Sequence, residues 1–113
     1  MKDAAQVIRS FLPMVFDDIL RGLDDDSNAT MKLQTLGLYR AIVALADRDQ
    51  DPTTAELARI GGVTATHAAR LANALVRLGW VEKTQFISSH GKGRQFAFRP
   101  AINFQRLTKL IKE

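Results

Sequence analysis

Thr53-Thr54-Ala55-Glu56-Leu57-Ala58-Arg59-Ile60-Gly61-Gly62-Val63-Thr64-Ala65-Thr66-His67-Ala68-Ala69-Arg70-Leu71 is the stretch that decides how this chain is read. Thr53 and Glu56 make the pattern Thr-x-x-Glu, in which the hydroxyl accepts from the amide three residues on and the carboxylate returns to the capping amide. Leu57 and Ile60 are expected to point inward, and Gly61 to supply the positive φ that closes a short helix. Thr64 then caps a second helix. Its Ala68, Leu71, Leu75 and Leu78 recur at helical spacing as an inward seam. Thr66, Arg70, Asn73 and Arg77 fall on the opposite face, with His67 and Ala74 beside it, and Gly79 ends the segment.

Downstream, residues 80–88 read as a strand, Ser89-His90-Gly91-Lys92-Gly93 as a turn, and residues 94–99 as the returning strand. Phe96 and Phe98 share one face of that strand, and Gln95, Ala97 and Arg99 the other. Pro100 ends it, and Asn103 can cap a short final helix carrying Leu107, Leu110 and Ile111.

Upstream, residues 4–22 suggest a helix with Val7, Ile8, Phe11, Leu12, Val15, Phe16, Ile19 and Leu20 at three-to-four spacing. Pro13 requires a reset, at Ser10 or in the turn ahead of the proline, because an interior proline removes a backbone bond. A stripe this wide serves the chain's own core or also a subunit interface. Gly22 closes the helix, and Asp24-Asp25-Asp26-Ser27-Asn28 is a polar connector. Its start superficially resembles a calcium loop, but Ala29 stands where that loop needs glycine and Thr35 where it needs glutamate. Acids ahead of a helix suit its dipole instead. The next helix falls within residues 30–46, capped by Thr30 or Thr35, with Leu38, Ile42 and Leu45 on one face and Tyr39 and Val43 flanking. Residues 47–52 are a loop.

The chain of 113 residues, 46% hydrophobic and 25% charged, reads as one soluble domain over 1–113: an N-terminal helix at 4–22, a core at 30–100 and a C-terminal helix at 101–112. It has no cysteine, which excludes disulfides, thiolate metal ligands and a cysteine nucleophile and fits a reducing cytoplasm. No apolar run approaches the ~18 residues needed to span a bilayer, and no signal peptide is apparent. The net charge of +4 hides an asymmetry. Residues 1–51 carry 6 basic and 9 acidic side chains, a balance of −3, whereas residues 52–113 carry 10 and 3, a balance of +7. The basic half is the one that holds the two capped helices, as a phosphate-facing surface would require.

The order capped helix, glycine turn, capped helix, glycine-tipped hairpin is that of a winged helix-turn-helix, a mainly α fold with a small β-hairpin wing. It makes double-stranded DNA the expected partner. A helix that enters the major groove must be slim at its start, polar outward and apolar inward. Thr64 and Thr66 can donate to phosphates or meet a thymine methyl; Arg70 can fork onto a guanine edge or a phosphate; Asn73 can pair with adenine or touch backbone. Ala65 and Ala69 keep the helix narrow. Arg77 continues the outward stripe, and His67 is a phosphate or base contact or plain surface. Thr54, at the start of the preceding helix, joins the candidate contact set. At the hairpin, His90, Lys92 and Arg94 around the glycines can approach a groove, and Lys83 and Arg99 can neutralise phosphates.

Residues 35–100 resemble the winged-helix core of bacterial transcription regulators, most nearly the multiple-antibiotic-resistance repressor (MarR) type. The resemblance is carried by Leu38-Tyr39-Arg40-Ala41-Ile42-Val43-Ala44-Leu45, Thr54-Ala55-Glu56-Leu57-Ala58, residues 63–71 and Leu75-Val76-Arg77-Leu78-Gly79-Trp80-Val81-Glu82. It implies that Thr64 to Arg70 read the major groove and that the wing touches an adjacent one. It also implies a homodimer formed by the terminal helices, here through Ile8, Phe11, Leu12, Val15, Ile19, Leu107, Leu110 and Ile111. Two such helices on a two-fold lie ~34 Å apart, so the expected site is an inverted repeat.

Catalysis is not expected. His67 and His90 have no acid at useful spacing, Ser88 and Ser89 lack a buried carboxylate to complete a triad, and no phosphate-binding Gly-x-x-x-x-Gly-Lys loop is present. No metal or cofactor is implied, and no small-molecule effector can be named. Trp80 and the phenylalanines read as core. The readings that stay open beside a repressor are a plasmid or phage protein of partition or replication control, and a winged-helix module that holds a protein partner.

Overall fold

The computed structural model describes residues 3–23, 28–87 and 94–112. Among them run α1 (Asp3–Ser10), α2 (Leu12–Gly22), α3 (Ala29–Ala46), α4 (Thr54–Gly61), α5 (Ala65–Arg77), β1 (Val81–Ile87), β2 (Arg94–Pro100) and α6 (Phe104–Lys112). The fold is a winged helix-turn-helix: a helical body with one antiparallel strand pair directly after the two-helix motif. None of the described helices is long and apolar enough to cross a membrane.

Pro13 splits the N-terminal stripe into two helices. Phe11 leaves the helical conformation (φ −125°, ψ 22°), and the proline falls in the first turn of α2, where its missing N–H breaks no bond. The cap of α3 is Asn28, whose Oδ1 accepts from the Met31 amide at 2.8 Å, rather than Thr30 or Thr35. Thr35 lies inside the helix and is buried. Its hydroxyl donates to the Met31 carbonyl at 2.8 Å, the local outlet open to a mid-helix threonine.

The Thr53–Glu56 capping box forms in full, with both reciprocal bonds at 3.0–3.2 Å, and contributes about 1 kcal/mol. Gly62, not Gly61, takes the left-handed conformation (φ 66°), because Gly61 still completes the last turn of α4. Ile60 is 53% exposed, contrary to its expected inward setting. The buried arc of α4 runs through Leu57 and Ala58, and a residue three after Leu57 falls on the far side of it from Ala58. Thr64 caps α5 by accepting from the His67 amide at 3.1 Å, and Ala68, Leu71, Ala72 and Leu75 are buried beneath.

The strands pair in the register Val81↔Pro100, Lys83↔Phe98 and Gln85↔Phe96. The segment before α4 lies along the free edge of β2, through a Thr53↔Ala97 bridge and a 2.9 Å bond from the Phe98 amide to the Pro52 carbonyl. That covering strip is why Ala97 is buried instead of sharing an open face with Gln95 and Arg99. Trp80, at the root of the hairpin, is fully buried with Tyr39, Phe98, Ile42, Leu57 and Leu75.

The terminal helices close the same core. Ile8, Val15 and Ile19 are at most 1% exposed, and Leu107 is 9% exposed. These four cannot also form the subunit interface expected of them, since their apolar surface is already covered by their own chain. Phe11, Leu12 and Leu110 are half-buried, and Ile111 and Phe104 stand out at 55% and 69% exposed. Beneath Trp80 lies a charged anchor. Asp18 accepts from the indole N–H at 2.9 Å and from Arg106 Nε at 2.9 Å, tying α2 to α6 and to the end of the α5 segment. Burial raises the Asp18 carboxyl, but the hydrogen bonds from Arg106 and Trp80 and the charges of Arg106 and Arg21 outweigh it. The net effect is to hold the carboxyl below its ordinary value.

Candidate nucleic-acid interface

The outward face of α5 follows from its inward one. With Ala68, Leu71, Ala72 and Leu75 fixed against the body, helical geometry turns Thr66, Arg70 and Arg77 to solvent, and Thr64 and Ala65 are exposed at the start. No acid occurs in α5. Among the described residues, Arg9, Arg21, Arg99 and Arg106 are matched to Asp47, Asp17, Glu82 and Asp18. Arg70 and Arg77, like Arg40, Arg48 and Arg59, have no such partner there, and of these only Arg70 and Arg77 stand on α5. Their charge is therefore available to an external anion, whereas Arg99, expected as a phosphate contact, is already neutralised by Glu82.

Thr54 belongs to the same region. With Thr53, Ala55, Ala65, Gln95 and Phe96 it lines a shallow recess where the starts of α4 and α5 meet β2. The first-turn amides of both helices are unpaired within their own helices, except for those capped by Thr53 and Thr64, so both termini favour negative charge.

Two expected contacts have hydrogen-bond partners within the chain. His67 is half-buried, and its Nε2 lies 2.8 Å from Gln34 Oε1 on α3, so its ring braces α5 against the body. Asn73 is half-buried, and its Oδ1 accepts from Lys83 Nζ at 2.9 Å. Lys83 is an exposed residue, and its ammonium also lies 4.6 Å from the centroid of the Phe96 ring. His90 and Lys92 lie outside the described residues, and Arg94 is the first residue of β2.

Several structural partners had no sequence signal of their own kind. Gln34 is a polar residue on a helix surface until the fold brings it to His67. Asp18 did carry a signal: it occupies an inward position between Val15 and Ile19 on α2, where an acid needs a buried partner. Among the described residues, no group of three or more His, Cys, Asp or Glu could hold a metal ion.

Residues 40–85, which run from the middle of α3 through α4 and α5 into β1, match the family model of the IclR helix-turn-helix domain. This family is distinct from the MarR type that the sequence resembles. No curated protein matches the chain significantly. A solved structure from Methanosarcina mazei Go1, described as a possible transcriptional regulator, shares the fold with a TM-score of 0.59. It is 16% identical, over 87% of this chain and 77% of that one.

Proposed function

We propose that this chain is a DNA-binding transcriptional regulator that places α5 in the major groove of double-stranded DNA and acts in the cytoplasm as a dimeric repressor on an inverted-repeat site. The regulator reading is supported by the helix-turn-helix match across residues 40–85 and by the fold. It describes a binding protein and not an enzyme. The single observation that carries it furthest is the exposed Arg70–Arg77 stripe, without an acidic partner among the described residues, on a helix free of acids that follows the capped glycine turn.

In this proposal Thr64, Ala65, Thr66 and Arg70 meet the groove, while Arg77, Thr54 and the wing meet phosphates. Dimerisation would use the apolar surface that the core leaves uncovered, Phe104 and Ile111 of α6 with the half-buried Phe11, Leu12 and Leu110. A MarR-like assembly through both terminal helices is one form of that dimer.

The test is selection of duplexes from a randomised pool, followed by titration of the selected site. Affinity is expected to fall steeply between ~50 and ~200 mM salt, and the site to show two half-sites about one helical turn apart. Binding that ignores salt, or no enrichment at all, would falsify the reading. A second reading has one observation in its favour. Ile60 (53% exposed) lines a mainly apolar groove with Gln34, Gly37, Leu38, Val63 and Leu71, which suits a protein partner. A salt-insensitive partner held by that groove would favour it.

A further inference from the structure

The hairpin is fastened to the body at its root by Trp80 and along its outer edge by residues 52–53. On the side that faces α5, the apolar packing of Val81 and Phe98 is joined by a single ammonium. Lys83 and its cross-strand partner Phe98 share a face of the hairpin with Gln85 and Phe96. From that face Lys83 Nζ donates to Asn73 Oδ1 at 2.9 Å and sits over the Phe96 ring at 4.6 Å. One side chain therefore touches β2 and α5 from β1. It makes the one side-chain hydrogen bond between α5 and the hairpin among the described residues. The contact lies toward the middle of the strands, beyond the root.

We infer that Lys83 is a positioning residue, with Asn73 as its acceptor and Phe96 as its platform, and that the three set the angle between the groove helix and the wing. In this role neither Lys83 nor Asn73 touches a base or a phosphate. Their effect on DNA is indirect: with α5 seated in the groove, the angle decides which phosphates the wing reaches. The inference rests on the DNA-binding reading above and assigns a different function to two residues that composition and helical spacing place among the contacts.

Salt dependence separates the two roles, because each phosphate contact contributes about 0.9 to the slope of log K against log salt. The full chain is titrated against a labelled mixed-sequence duplex of about 30 bp between ~50 and ~200 mM KCl, with thermal melts confirming that each variant folds. Asn73→Ala removes no charge. It is nevertheless expected to weaken binding about fivefold, the effect of one net hydrogen bond, and to lower the slope by about one contact as the wing turns away. Lys83→Met should do the same, and the double variant no more than either. An Asn73→Ala slope equal to or steeper than the wild type's overturns the inference, since a released lysine would then be reaching phosphate by itself. If the wild-type chain shows no salt-dependent binding, the DNA reading fails instead. The geometry is still decided without DNA, because the chain has no cysteine and spin labels can be placed at Thr84→Cys on β1 and Thr108→Cys on α6. Asn73→Ala should broaden the distance distribution between them, and an unchanged distribution rejects the positioning role.

Discussion

Arg70 and Arg106 are the same residue used in opposite ways. Arg106 is drawn against Asp18 beneath Trp80, half-covered and committed to a carboxylate that is only 7% exposed. Arg70 stands in solvent on α5 with no partner among the described residues. The first arrangement gives a fixed geometry, because desolvated charges tolerate few alternatives. The second gives a cation that has lost none of its hydration to an internal acid and can exchange it for phosphate or a base edge. The Asp18–Arg106 pair is thus committed inside the body, and Arg70 is left open to an external partner.

The largest effect that could break this contrast is at the root of the wing. Trp80→Ala should cost about 3–5 kcal/mol in a denaturant melt, enough to unfold much of the population. A loss under ~1 kcal/mol would mean that the tryptophan is not the keystone its burial indicates. Asp18→Ala comes next, at about 2 kcal/mol. The value is below that of a fully buried pair because the Arg106 side chain is 37% exposed and partly screened.

The same carboxylate should govern acid stability. Its folded value lies below the ordinary 3.8, so its contribution is fully present above that pH and is lost as pH falls through the folded value. Melting temperatures followed downward from neutrality should fall in that acid window for the wild type and more gently for Asp18→Asn. Equal slopes would detach the anchor from acid unfolding. Arg70→Ala should show the converse pattern. Stability is expected to stay within ~0.5 kcal/mol of the wild type while DNA affinity drops about tenfold or more. Equal effects on both would erase the distinction between the two arginines.

The smallest change sharpens the comparison from inside. The Tyr39 hydroxyl is buried with no hydrogen-bond partner among the described residues, although its ring packs edge-on to Phe16 at 6.1 Å. Burial alone pushes the phenol far above its usual range. Tyr39→Phe should therefore be neutral or stabilising by up to ~1 kcal/mol, and a marked loss of stability would show that the oxygen has a use the packing does not reveal.

The caps, glycine stops and leucine seam of residues 53–79 could be read directly, because local backbone chemistry dictates them. What could not be read depends on where separate elements meet. Ile60 looked inward from its spacing alone, and only the position of α3 shows which arc of a two-turn helix is covered. Ile8, Val15 and Ile19 carried an apolar stripe that fits a partner subunit or the chain's own core equally well; contact between helices chose the core. His67 and Asn73 had the right chemistry at the right helical phase. Their acceptor and donor, Gln34 and Lys83, are 33 and 10 residues away in the chain.

The amide of Asn103 donates to the Leu78 carbonyl at 2.8 Å and accepts from the Arg106 N–H at 3.1 Å. A Cβ at Gly79 (φ 83°) would stand 2.6 Å from its nitrogen. One small polar group is therefore the full stop of one helix and the opening letter of another, fitted into a space that only a bare backbone leaves open. A side chain at position 79 meets both the left-handed backbone and the Asn103 amide, so a protein engineer who lengthens it will disturb the sentence on both sides of it.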